Sequence, residues 1–381
     1  MRVLQLGRFW NDEHGGVERH AALLSRSLAE RGVEVVNLVA AAKGEPASDR
    51  QLEGYRLVQA RCYGMFARTA VSPQLVWKAL ALHRDKPFDV VHLHFPDPLS
   101  HLVGLLMPRS VKRVITWHSD IVRNPGLLAL YLPFLQSITR GADAVVAATQ
   151  AHFDASTQIP RDIPASRLHV IPYGMDYGPL ELAPEARALM AQLKERAAGR
   201  RIVFALGRHV YYKGFGVLVE AARSLDALVI IGGNGPLSPE LRARAAALGL
   251  QDKVYFPGRI PEAELPAYFN ACDVFALPSV GLTEAFGLVQ LEAMACGKPV
   301  VCSQLGNGVN VVNQDGQTGV AVPPGDAQAL AGALARLLGD DELRERLGAQ
   351  ARVRARAGFS VESMGRSHMS LYQQLLGPGR R

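Results

Sequence analysis

Glu284-Ala-Phe-Gly-Leu-Val-Gln-Leu-Glu292, continuing Ala-Met-Ala-Cys-Gly-Lys-Pro-Val-Val301, decides how this chain is read. The segment is apolar almost throughout, yet it carries two carboxylates eight positions apart. Gly297 suits the residue just past a helix C-terminus and Pro299 suits the opening of a strand. The spacing therefore predicts a buried helix over Phe286–Cys296, with Glu284 just before its first turn. A carboxylate inside such a helix needs a partner, because burying it alone costs several kcal/mol or more. Adjacent sugar hydroxyls are suitable partners. The amides of Gly287 and Leu288, at the positive end of the helix dipole, suit a phosphate. Carboxylates for hydroxyls beside amides for phosphate fit a nucleotide sugar; two Glu at this spacing also fit an amphipathic helix whose carboxylates reach solvent.

Outward from this segment, short apolar runs alternate with helical patterns in two series. The first is Val3–Leu6, Glu34–Val39, Val90–His94, Val114–His118, Ala144–Ala148 and His169–Ile171; the second is Ile202–Leu206, Leu228–Ile231, Val254–Phe256, Val274–Leu277, Val300–Cys302 and Gly319–Val322. Such runs predict parallel sheets covered on both faces, an α/β fold. Arg56–Tyr63 could add strands to the first sheet. The turn-rich Ile171–Asp176 closes the first half, Glu185–Ala198 predicts a helix, and Ile202 restarts the pattern. Domains over 1–175 and 176–360 follow, with a last helix over Val361–Leu376 inside 361–381. Ala327–Ala357 has a surface-helix composition. In open α/β sheets ligands bind beyond the carboxyl ends of the strands.

A chain of 381 residues allows two or three domains at about 150 residues each. With 48% hydrophobic residues it can bury sizeable cores. The net charge of +7 fits an acidic ligand or an anionic membrane surface. No basic run interleaved with aromatics, helix-turn-helix or zinc signature points to nucleic acid. Cys62, Cys272, Cys296 and Cys302 form no C-x-x-C pair, which suggests a reducing cytosol. The N-terminus runs directly into a strand without a signal-peptide pattern, and no apolar stretch of about 18 residues is present to span a bilayer.

Several residues carry chemistry by position. Arg208 and Lys213 lie in the loop after a strand, where a guanidinium fork and an ammonium could hold a diphosphate. Gly232-Gly233-Asn234-Gly235-Pro236 permits close backbone approach to a ligand, and equally fits a tight turn. Gly15-Gly16 before a helix makes an anion nest, although it is not a G-x-G-x-x-G fingerprint. His118 ends a strand at its carboxyl edge, so it should point into the cleft. His92 and His94 read as a wall or hydrogen-bonded scaffold and lack an obvious third metal ligand. Arg109, Lys112, Arg113, Arg123 and Arg140 accompany the apolar Leu102–Met107 and Leu127–Leu135; this face could rest on an anionic membrane presenting a lipid-linked acceptor, or could be solvated cations beside buried helices.

The 284–301 segment resembles the E-x7-E motif of retaining glycosyltransferases of the GT-B fold, family 4. The resemblance covers almost the whole chain and is strongest over 201–326. It implies two doubly wound Rossmann-like domains facing each other across a cleft, with the last helix crossing back to the first domain. It also implies that Glu284 contacts the donor sugar's hydroxyls and Glu292 the nucleotide ribose. Gly207-Arg208 to Lys213-Gly214 resembles the family's G-R-x4-K-G element, whose cations stabilise the leaving diphosphate. Those cations would replace the metal that other glycosyltransferases hold with D-x-D, and no D-x-D occurs in this chain. Gly233-Asn234-Gly235-Pro236 resembles a G-x-G-P loop near the nucleotide, and Gly258-Arg259-Ile260 the segment that reads the base edge. Gly15-Gly16 resembles the loop that approaches the diphosphate. Phe286, Gly287 and Leu288 complete the donor set.

His118 matches a histidine that hydrogen-bonds the donor sugar near the reacting carbon. The family commonly follows it with Asp, whereas this chain has Ser119 and then Asp120. The expected catalytic set is His118, Glu284, Arg208 and Lys213, with no metal and no cofactor. The expected activity is metal-independent, retaining transfer from a GDP- or UDP-linked sugar to an acceptor hydroxyl, on a glycan or lipid-linked acceptor. Front-face attack assisted by the leaving phosphate is the implied mechanism. The setting implied by analogy is bacterial polysaccharide or lipid-linked glycan synthesis, in the cytoplasm or on the inner face of the cell membrane. An epimerase on the same scaffold, or a non-catalytic sugar-nucleotide-binding protein, is the alternative.

Overall fold

The computed structural model describes residues 1–9, 16–52, 54–66, 69–121, 125–281 and 283–377. The chain divides into two compact units, Met1–Gly174 with Val361–Arg381, and Met175–Ser360.

The first unit is built on an eight-stranded sheet. Its strands are β1 (Arg2–Phe9), β2 (Glu34–Ala40), β3 (Ser48–Leu52) and β4 (Tyr55–Ala60), then β7 (Val90–Phe95), β8 (Lys112–Trp117), β9 (Ala144–Ala147) and β10 (Leu168–Val170). Between them, β5 (Gly64–Phe66) and β6 (Thr69–Val71) form a separate hairpin. The sheet order is β10-β9-β8-β7-β1-β2-β4-β3, parallel except for β3 on β4. The ambiguous Arg56–Tyr63 thus supplies β4, and β3 turns back onto it as an exposed polar edge. Apolar clusters cover both faces, one including Leu4, Leu93, Ile115 and Trp117, the other Val3, Leu24, Val90 and Val146. The helix Val361–Leu376 adds Met364, Leu371 and Tyr372 to the second cluster.

The second unit holds an all-parallel sheet of β11 (Arg201–Leu206), β12 (Ala227–Gly232), β13 (Val254–Gly258), β14 (Val274–Leu277), β15 (Val300–Ser303) and β16 (Gly319–Val322). Its order is β13-β12-β11-β14-β15-β16. Strand order therefore reverses between β11 and β14, and the reversal opens a crevice at the carboxyl edge of an open α/β sheet.

The predicted strands all form, because each is a short apolar run bounded by turn residues. Local chemistry shifted some helix boundaries. The helix expected over Phe286–Cys296 spans Leu288–Ala295, since Gly287 at φ +66° stands outside it as its N-cap. The Ala327–Ala357 stretch is two helices, Ala327–Gly339 and Asp341–Gly358, because Asp340 caps the second by accepting from the Leu343 amide at 2.9 Å.

Candidate active site

The loop after β11 and the loop after β14 meet where the strand order reverses. Tyr211–Lys213 forms one 3-10 turn, closed by Gly214 at φ +66°. A Cβ on Gly214 would stand 1.9 Å from the Pro278 carbonyl oxygen, so only glycine lets these loops touch. The turn carries the Lys213 ammonium to 2.5 Å from Glu284 Oε2. Both side chains are largely buried, at 13% and 10% exposure. Ser279 Oγ donates to the same carboxylate oxygen at 3.0 Å. A buried ion pair tolerates desolvation only with such added hydrogen bonds.

The backbone around Glu284 is pinned as well. Asn307 Nδ2 donates to the Glu284 carbonyl at 2.8 Å, and Gln290 Nε2 donates to the Phe286 carbonyl at 2.9 Å. Phe286 packs edge-on against Phe359. At the start of the Leu288–Ala295 helix no side chain among the described residues caps the first amides, which leaves an anion-accepting end. Glu292 stands half-buried on this helix, one turn beyond Leu288.

Two further loops, after β12 and β13, lace onto the loop after β11 at the same sheet edge. Gly207 N donates to the Gly232 carbonyl at 3.1 Å, His209 N to Asn234 at 3.0 Å, and Gly233 N to Gly258 at 2.7 Å. A Cβ on Gly233 would lie 1.9 Å from the Gly207 oxygen, and one on Gly235 would lie 2.4 Å from the His209 oxygen. These glycines are thus required by loop-on-loop packing, whatever they later bind. The Asn234 carboxamide oxygen accepts from Gly235 N and Ser238 Oγ, shaping the turn. Arg208 is exposed, and its guanidinium has no hydrogen-bond or ion-pair partner among the described residues. Arg259 is exposed and Ile260 buried beyond the end of β13. The second unit therefore brings Arg208, Lys213, Gly233, Asn234, Gly258, Arg259, Ile260 and Glu284–Leu288 to one sheet edge.

In the first unit, Gly15 lies outside the described residues, and Gly16 opens the helix Gly16–Ala29. His118 follows β8 directly and is buried. Both its nitrogens are engaged: Nε2 lies 3.1 Å from His94 Nδ1, and Nδ1 lies 3.0 Å from Tyr173 Oη. His94 Nε2 in turn lies 2.7 Å from Gln5 Oε1. His92 bridges Tyr372 and Thr116, which makes it scaffold. Asp120 is spoken for by Trp117 Nε1, Ser156 Oγ and the Thr157 amide. Burial holds His20, His92 and His118 well below the usual imidazole range and brings His94 down to about 3 and His368 to about 4. All five are neutral at pH 7.

Sequence reading missed four residues here. Ser279 and Gln290 touch Glu284 and the Phe286 carbonyl from within a few residues, and Asn307 reaches the Glu284 carbonyl from 23 positions away. His20 lies against His94, His118 and Tyr173 with ring centroids 5.0–5.5 Å apart, so the third imidazole that His94 lacked in the sequence comes from a helix 74 positions earlier.

Comparison with known proteins places these features among relatives. The family described as Glycosyl transferases group 1 matches residues 190–354, and Glycosyltransferase Family 4 matches residues 14–178. The chain is 33% identical to the D-rhamnosyltransferase WbpZ of Pseudomonas aeruginosa, over 95% of this chain and 93% of that protein. It is 28% identical to the O-antigen chain mannosyltransferase C of Escherichia coli, over 99% of each. Its fold is similar to that of sucrose-phosphate synthase from Thermosynechococcus elongatus, with a TM-score of 0.77, 25% identity and 98% of each chain covered.

Proposed function

The chain belongs to glycosyltransferase family 4, the group 1 glycosyl transferases of the GT-B fold, and on that premise we propose that it moves a hexose from a GDP- or UDP-linked donor to an acceptor hydroxyl with retention at the anomeric carbon. The observation that carries this reading is the Lys213–Glu284 contact at the strand-order reversal, with the partner-free Arg208 on the same edge. Glu284, held by Ser279, accepts from the sugar's hydroxyls. Arg208, Lys213 and the amides of Gly287 and Leu288 hold the diphosphate and stabilise the charge that grows on it as the glycosidic bond breaks. Glu292 holds the ribose. The loops at Gly233-Asn234 and Gly258–Ile260 complete the nucleotide site of the second unit, and Phe286 braces the Glu284 loop. Fixed cations do the work of a metal at the diphosphate.

Two relatives are named for mannose and D-rhamnose transfer, and D-rhamnose is 6-deoxymannose. Their names support a manno-configured donor, used on a polysaccharide or lipid-linked acceptor. A thermal-shift screen of GDP- and UDP-sugars tests this: a manno-configured donor should stabilise most, and no stabilisation by any of them would overturn it. Incubation of the labelled donor without acceptor should give slow hydrolysis or no change; a new nucleotide sugar would favour an epimerase instead.

A peripheral membrane role belongs to the same reading. Leu102, Leu105, Leu106, Leu127 and Leu130 are exposed on the helices Pro98–Leu106 and Pro125–Arg140, beside exposed Arg109. Lys112 and Arg140 are paired with Asp143 and Asp162, so the leucines carry this idea more than the cations do. No described helix is long and apolar enough to cross a membrane. The full chain should float with anionic liposomes, and failure to float with any liposome would remove the role.

A further inference from the structure

We propose that His20, His94 and His118 form a binding site for a zinc-type transition-metal ion in the first unit. Each imidazole offers one nitrogen, and the three nitrogens lie within 4.8 Å of one another. The His94 Nδ1 to His118 Nε2 separation of 3.1 Å is close to the edge of a tetrahedron with metal–nitrogen bonds of about 2.0–2.1 Å. Two of the three rings are already oriented from behind, His94 by Gln5 Oε1 at 2.7 Å and His118 by Tyr173 Oη at 3.0 Å. Partners of this kind fix tautomer and ring angle in metal-binding histidines.

His20 decides between a metal site and a plain hydrogen-bonded stack. Protons can be laid from Tyr173 through His118 and His94 to Gln5 without any ion, and that chain satisfies His94 and His118. It leaves both His20 nitrogens buried with no partner among the described residues. Buried polar groups are rarely left so. A metal uses one of these nitrogens as its third ligand, with water in the fourth position. On binding, His118 moves its proton from Nε2 to Nδ1 and donates it to Tyr173 Oη, so no net proton is lost. An all-imidazole set suits zinc, copper, nickel or cobalt rather than magnesium or calcium.

This inference does not rest on the proposed transfer reaction. The test therefore reads the metal itself. Tag-free full chain, stripped with chelator, is titrated with Zn²⁺ and counted by elemental analysis after gel filtration; Co²⁺ is followed by its visible absorption. The expected result is one ion per chain with tetrahedral cobalt bands. His20→Gln should lose stoichiometric uptake, and Tyr173→Phe should weaken affinity by about 10–100-fold. Tyr173→Phe keeps the test valid if His20→Gln fails to fold. Uptake below about a tenth of an equivalent by the unaltered chain, or uptake undiminished in a folded variant, would overturn the proposal.

Discussion

Lowering the pH from 7.5 to 5.0 should destabilise the first unit steeply, and the buried histidines give the size of the effect. Burial brings His94 from an ordinary 6.5 down to about 3, and His368 to about 4. The unfolded chain then binds protons that the folded chain refuses. Stability is therefore complete above about pH 6.5 and is lost as pH falls through that value. At 1.36 kcal/mol per unit of pKa, each of the two contributes about 2 kcal/mol of loss by pH 5, or about 4 kcal/mol together. His20, His92 and His118 are lowered by the same cause and add in the same sense. All three tryptophans, Trp10, Trp77 and Trp117, fall in the first unit, so their fluorescence reports its urea unfolding. His368→Gln should reduce the pH-dependent loss by about 2 kcal/mol. Burial raises the Asp97 carboxyl, which acts in the opposite sense and makes that comparison the cleaner measurement. A urea midpoint that does not move between pH 7.5 and 5.0 would refute the reasoning, since these rings would then be charged or hydrated in the folded protein.

Two substitutions test the packing of the site. Gly233→Ala puts a Cβ 1.9 Å from the Gly207 oxygen at φ +112°, so it should cost at least about 3 kcal/mol and lower the melting temperature markedly. Gly258→Ala meets nothing within 4 Å and should cost only the left-handed strain of about 1–2 kcal/mol. Equal melting temperatures for the two would contradict this. Ser279→Ala removes the donor to Glu284 Oε2 and should lower stability by about 1.5–3 kcal/mol in urea unfolding. In steady-state kinetics it should depress kcat more than it raises KM for the donor.

The fold was legible because its signals are local. Each predicted strand from Val3 to Val322 is an apolar run with turn residues at its ends, whereas the polar edge strand β3 and the β5–β6 hairpin carry no such pattern. The Glu284–Glu292 segment stood out for a second reason: a carboxylate just before an apolar helix and another within it contradict their surroundings. Boundaries slipped where one residue's backbone decides them, as Gly287 and Asp340 do. Contacts between distant elements left no trace in any window. Nothing near Asn307 points to Glu284, and nothing near His20 points to His94. Three-dimensional placement also changed the meaning of residues singled out by type. Asn234 shapes its own turn, and His118 has both nitrogens engaged before any ligand arrives.

The central claim is that Arg208 and Lys213 hold a nucleoside diphosphate while Glu284 faces the sugar. Calorimetric titration of the unaltered chain, Arg208→Ala, Lys213→Ala and Glu284→Gln with UDP and with GDP tests it most directly. The account predicts that the preferred diphosphate binds at least about tenfold more weakly, or about 1.4 kcal/mol, to each cation variant. Glu284→Gln should bind it as tightly as the unaltered chain or more so, because Lys213 loses its anionic competitor. Undiminished affinity in both cation variants would contradict the account.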